Sequence, residues 1–223
     1  NNTMPVLHDL VNSIRSKNLD AAIQQVLVGL HWTAVTSKNT GLAATLSDAT
    51  WCQAQDVKGA GKLHERTAME LVEFLLSSHP LEISIGMAAF NSLNPIDERG
   101  GVELNARDLL LERSSQKKVA VIGSFPFVKQ LQSTTSQLWV LELEPGPGEY
   151  PASMAEELLP QADIIGLTAT TLMNGTFDHL HPHFPEKALV IMIGPSTPLD
   201  PVLFDYGIDI LAGSVVTDAR ALI

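Results

Sequence analysis

Four runs in the second half of the chain carry apolar residues without alternation: KVAVIG (118–123), LWVLEL (138–143), DIIGLTA (163–169) and ALVIMIG (188–194). A fifth, IDILAGS (208–214), closes the series. Strands that are apolar on successive residues are buried on both faces, which is the condition of a parallel sheet. Short helical or loop segments separate the runs. The pattern predicts an α/β domain with a mainly parallel, doubly wound sheet, Rossmann-like in the broad sense, over 106–223.

Residues 1–105 read differently. VLHDLVNSI (6–14) spaces Val6, Leu7, Leu10, Val11 and Ile14 along one helical face. QVLVGLHWTAVTS (25–37) has strand character, and GLAATLSDATW (41–51) answers it across a Ser-Lys-Asn-Thr turn, which suggests a hairpin. Two helices follow, HERTAMELVEFLLSS (64–78) and LEISIGMAAFNSLN (81–94). A hairpin and then helices make an α+β arrangement.

The formal charge of −11 disfavours a nucleic-acid partner, since no basic patch offsets it. No apolar stretch approaches a membrane span and no signal segment opens the chain. A lone Cys52 excludes an internal disulfide and fits a reducing cytoplasm. The chain begins without Met and stops at Ala221-Leu222-Ile223 just past a helix-like start, which points to clipped ends.

Ligands of open parallel sheets bind outside the carboxyl ends of the strands. The loops leaving these strands are GSFPFV, EPGPGEYPAS, TATTLMNGT, GPSTPLDP and GSVVTD, all on one rim. Their backbone amides, aided by helix N-termini, are expected to cradle an anion around Gly123, Gly175 and Gly194. GSFPFV lacks the glycine pattern of a dinucleotide loop, and Pro126 between two phenylalanines blocks close pyrophosphate approach. Glu142 and Glu144 sit where a ribose-binding acid would, or are simply solvated. S-adenosylmethionine or a nucleotide therefore stays open as a cofactor, while ordinary NAD binding is disfavoured. Thr168 and Thr170 follow a strand. Asn174 and Thr176 either cap the next helix or donate to a ligand, and Ser196 and Thr197 repeat that choice one strand later.

HLHPHF (179–184) places His179, His181 and His183 at alternate positions. His179 and His183 have the spacing of a helical zinc pair, which Pro182 spoils. The expectation is the end of a helix, where protonated histidines would be favoured, on the rim opposite the motif loops.

VAVIGSFPFV, LELEPGPGEYP, ADIIGLTATTLMNGT, IMIGPSTPLDPVLFDYGIDILAGSVVTD, GLHWTAV and IGMAAFNSLNP closely resemble a family of unknown function labelled "putative heavy-metal chelation" proteins, over nearly the whole chain. The resemblance implies an N-terminal domain like that of enolase, a Rossmann-like domain, and a binding cleft between them. Carried over, the matching positions are Gly123, Pro126, Glu142, Thr168, Thr170, Asn174, Gly175 and Gly194, continuing through Pro195, Ser196, Thr197, Gly213 and Thr217. Asn91 and Asn94 would close the cleft from the N-terminal side. Hydroxyls and carboxamides suit a small polar molecule better than a soft metal. The expected function is binding of a small polar or metal-complexed ligand at the cleft, in heavy-metal or metal-chelate handling. The alternative is a transferase or lyase using an adenosine-containing cofactor. The expected partners are the ligand alone, without nucleic acid or membrane, with pairing into a homodimer left open.

Overall fold

The structure, a computed structural model, describes residues 4–46, 56–94 and 101–219. Cys52 and the end of the second strand run (47–51) lie outside them.

Helix α1 (Pro5–Ser16) buries the stripe read from its spacing, Val6, Leu7, Leu10, Val11 and Ile14. Strands β1 (Gln25–Val28), β2 (Trp32–Thr36) and β3 (Thr40–Ala44) form an antiparallel sheet in that order. The run 25–37 thus holds two strands where one was expected. Gly29 makes the break: its N–H donates to Trp32 O at 2.8 Å and folds the chain back on itself. Helix α2 (Ala68–Val72) starts in a capping box, with Thr67 accepting from Glu70 N and Glu70 accepting from Thr67 N. Helix α3 (Pro80–Leu93) is buried almost all round, as a helix without a polar face must be. It lies directly on β3, because a Cβ at Gly41 would run into Ala88 O and Ser92 N.

Helix α4 (Ala106–Arg113) leads into the second sheet. Its strands are β4 (Lys118–Ile122), β5 (Gln137–Glu142), β6 (Tyr150–Pro151), β7 (Ile164–Thr168), β8 (Leu189–Ile193) and β9 (Ile210–Ala212). The order is β6-β5-β4-β7-β8-β9, with every pairing parallel. The five expected strands are present, and the two-residue β6 adds a sixth that is too short to leave a hydrophobic signature. Between the strands lie short helices, α5 (Val128–Gln132), α6 (Ala155–Leu158), α7 (Thr170–Met173) and α8 (Phe177–Leu180).

The two faces of this sheet are covered differently. Val119, Val121, Ile164 and Ile191 pack under α4 and α5 with Leu109, Leu110 and Leu131. Ala120, Leu141, Ile165, Leu167, Val190 and Met192 face the other way and join α1, α2 and α3 in one continuous core. Apolar burial therefore runs without a break from the antiparallel sheet into the parallel one.

Polar contacts fix the angle of that junction, and one loop supplies most of them. Ser196 Oγ accepts from Ala44 N at 2.7 Å, and Asn91 Nδ2 donates to Ser196 O at 3.2 Å and to Leu42 O at 2.9 Å. Asn94 Nδ2 donates to Leu199 O at 2.8 Å. Asp200, only 1% exposed, accepts from Lys17 Nζ at 2.6 Å and from Ser13 Oγ at 2.8 Å, both on or just past α1. Its other oxygen caps the 3₁₀ turn Pro201–Tyr206 through Val202 N.

Asp200 is buried, but Lys17 is one-third exposed and Asp200 would keep its bonds from Ser13 and Val202, so Lys17→Met should lower the unfolding free energy by about 1–3 kcal/mol. Lys17→Met combined with Asp200→Leu should recover a good part of it. Urea unfolding of the two variants checks this; equal losses would mean that the charge pair is not what holds α1 to the loop.

Candidate functional site

The register aligns the carboxyl ends of the strands into a row. Ile122 pairs with Leu141 on one side and Leu167 on the other, and Thr168 pairs with Ile193. Glu142, Gly123, Thr168 and Gly194 follow one another across the rim. Between β4 and β7 the strand order reverses, and such a switch point is where ligands of open α/β sheets sit. Gly123 is required there: its φ is +104°, and a Cβ would meet Thr168 Cγ2 at 2.6 Å. Thr168 Oγ1 is 2.8 Å from Thr170 Oγ1, and Thr171 Oγ1 donates to Thr168 O at 2.7 Å, so the two hydroxyls of 168 and 170 form a fixed pair.

Glu142 is half-buried, and its carboxyl is held above the ordinary range by burial first and by the negative charge of Glu149 second, against a hydrogen bond from Leu143 N–H. Glu149 was not foreseen. It sits on the turn Gly146–Glu149, where its carboxylate accepts from Gly146 N at 2.8 Å. Glu144, expected beside Glu142, is exposed, as is Pro126.

Several expected roles change. Ser196 Oγ accepts from Ala44 N and so ties the loop to β3. Neither Asn174 nor Thr176 caps α8; Asn174 Oδ1 instead accepts from both Thr176 N and Thr176 Oγ1, closing a turn on itself. Gly175 faces Met4, so it packs against the start of α1. Helices α5, α6, α7 and α8 have four or five residues each, too few for their N-termini to supply the expected anion field. Thr217 is exposed, and Gly213 lies against Thr197 O.

The histidines part company. His181 stacks on Phe177 with ring centroids 5.5 Å apart and meets Tyr206 edge-on at 5.1 Å. Burial lowers its pKa, so it resists the protonation expected at a helix end, although Asp178 opposes the shift. Asp178 accepts from Val6 N, at the first turn of α1, and Tyr206 donates to Asp9 at 2.6 Å. The cluster is a joint between α1 and the 179–206 segment. Among the described residues, no three His, Cys, Asp or Glu side chains are placed to hold a metal ion.

A pocket lies where the two sheets meet, on the same rim. Thr40, Asn91 and Asn94 line it from the N-terminal side, and Thr197, Leu199, Ser214 and Val215 from the loops after β8 and β9. It has about 20 Å³ of room, comparable to one small molecule such as water. Thr197 is 2% exposed, and its Oγ1 has no hydrogen-bond partner among the described residues. A buried hydroxyl left unpaired costs about 1–3 kcal/mol. Asn91, Asn94 and Thr197 were candidates from sequence, and Leu199, Ser214 and Val215 lie in the rim loops GPSTPLDP and GSVVTD; Thr40 carries no local signal that could have found it.

A carboxyl whose folded pKa lies above its unfolded one takes up its proton more readily when folded, so its contribution to stability grows as the pH falls through that raised value. Glu142→Gln should therefore raise Tm near neutrality, with the gain shrinking as the pH is lowered through the carboxylate range. Scanning calorimetry from neutral to acid pH tests it; a gain that does not depend on pH would discount the Glu149 repulsion.

Residues 105–223 match the family model DUF364 and residues 12–94 match DUF4213, and both models are described as "Putative heavy-metal chelation". A crystal structure of a DUF364 protein of unknown function from Desulfitobacterium hafniense is 25% identical, covers 98% of this chain and 89% of its own, and superposes with a TM-score of 0.83. A second DUF364 structure, from Pyrococcus horikoshii, is 22% identical over 96% of this chain and 88% of its own, with a TM-score of 0.74, and is a likeness of fold. An uncharacterized protein of Methanocaldococcus jannaschii is 28% identical over 158 residues. That match covers 67% of this chain but 60% of the relative, so the chain spans well under two thirds of that protein's length. The chain belongs to the DUF364 family.

Proposed function

The chain being a member of that family, we propose that it binds a small polar or metal-complexed ligand in the cleft between the two sheets, at the carboxyl rim of the parallel one. What supports this reading is the pocket lined from both sides of the junction, with Thr197, whose buried hydroxyl is unpartnered among the described residues, in its wall.

The donors at hand bear on the family's description. A soft metal ion calls for thiolate or imidazole ligands, and the pocket offers hydroxyls and carboxamides. With no converging His, Cys, Asp or Glu trio among the described residues, the side chains do not fit a bare heavy-metal ion. A metal in this cleft would arrive inside a complex that already satisfies its coordination, and the protein would recognise the complex by hydrogen bonds. Glu142, at the end of β5, is placed to meet a hydroxyl or a cationic part of a ligand extended along the rim.

A thermal-shift scan against divalent metals, preformed metal chelates and adenosine-containing cofactors separates the cases. A ligand at 100 times its Kd adds ~2.7 kcal/mol, or roughly 5–10 °C for a chain of this size. The expected result is a shift with a chelate or another polar small molecule that Thr197→Val reduces at least tenfold in affinity. Without ligand, that substitution should leave Tm unchanged or higher, since it removes an unpaired hydroxyl at constant volume. A shift from free metal ions that survives Thr197→Val would overturn the reading. A shift with an adenosine cofactor alone would favour a transferase or lyase.

A further inference from the structure

The pocket's walls narrow what its occupant can be. Among the described residues none that lines it is charged: the polar ones are threonine, serine and asparagine. The asparagine amides are already committed as donors, Asn91 to Leu42 O and Ser196 O, and Asn94 to Leu199 O. Asn91 has given both of its Nδ2 hydrogens and has only its carbonyl oxygen left to offer, while Asn94 has given one and keeps its carbonyl oxygen as acceptor.

Helix α3 adds a field of the same sign. Asn91 lies in its last turn and Asn94 is its C-cap, so the pocket sits at the carboxyl end of a 14-residue helix. The terminal carbonyls there carry the equivalent of about half a negative charge. That end of a helix favours cations and hydrogen-bond donors and repels anions. Thr197 Oγ1, unpartnered among the described residues and 2% exposed, can accept from such a donor without losing any existing bond.

Resting on the cleft reading above, we propose that the pocket is a subsite for one hydrogen-bond-donating group at the end of a small ligand, an ammonium, a hydroxyl or an amide NH₂. About 20 Å³ admits a single heavy atom of this kind with little beyond it. Carboxylates and phosphates are refused by the helix end and by the lack of any cation in the walls. Bare divalent metals are refused because no anionic ligand is present to replace their water.

The test is a titration of the full chain with ¹³C-labelled threonine, leucine and valine methyl groups, followed by NMR. The probes are ammonium chloride, methylammonium chloride and methanol, set against sodium acetate, sodium phosphate and zinc chloride, with sodium chloride as the ionic-strength control. Saturable shifts of the Thr197 and Val215 methyls are expected from the first three alone. Thr197→Val, read at Val215, should weaken them at least tenfold. Acetate, phosphate or zinc acting saturably at those methyls would overturn the proposal, and so would donor probes that leave them unmoved. The two readings fail separately. If a chelate found by thermal shift depends on Thr197 while the donor probes do nothing, the subsite chemistry falls and the cleft stands. If the donors bind while no larger ligand does, the cleft reading falls and the subsite stands.

Discussion

A parallel sheet that is apolar on both faces must be covered on both, and this chain meets the requirement unequally. One face has α4 and α5. On the other, the connecting helices α6, α7 and α8 are only four residues long and cannot shield the sheet alone. The N-terminal layer completes the cover, and its core runs straight into that of the sheet. Covering the sheet therefore brings α3 and β3 against the loops at its carboxyl end, and a cleft on the ligand-binding rim follows from the same burial that makes the fold stable.

The loop 194–200 turns this packing into a defined geometry. It leaves β8 on the rim, spends Ser196 and two backbone carbonyls on β3 and α3, and ends at Asp200 on Lys17 and Ser13. Thr197 stands in the middle of these bonded residues and is the one whose hydroxyl is left over. Apolar burial is non-directional; directional bonds on both sides of Thr197 are what hold that residue in the wall of the pocket. A change at Asp200 would thus reach the pocket through the loop without touching a ligand.

What could be read from the sequence follows the range of the interactions involved. The parallel strands and α1 were legible because their burial is written as runs and periods over five or more residues. The break at Gly29 was not, since a turn of this kind inside a β-prone run depends on a single residue and on the pairing it permits. The strand β6 left no trace because two residues cannot show a pattern. At the site the divide is sharper. Gly123 and Thr168 could be picked out as residues after strands, whereas the repulsion between Glu142 and Glu149 exists only once the Gly146 turn folds back. Ser196 looked available from sequence because its partner, Ala44 N, lies 152 residues away. For the histidines the helix end was visible locally, but the packing of His181 against Phe177 and Tyr206, which resists its protonation, was not.

The description attached to this family and the chemistry of this rim can both hold if the unit recognised is a complex and not an ion. An ion is selected by replacing its water with ligands of matching softness, and that takes several convergent donors. A complex is selected at its periphery, where hydroxyls, amines and amides project outward, and the matching surface is one of fixed, neutral hydrogen-bonding groups. The carboxyl end of α3, the committed amides of Asn91 and Asn94, and Thr197 form such a surface, and Glu142 lies farther along the same rim to meet a second donor or a positive charge. Two such points on a rigid row of strand ends measure the spacing between a ligand's donors as well as their kind. On that reading specificity would come from the strand register, which sets that spacing, and a metal would contribute only by fixing the shape of the complex that holds it.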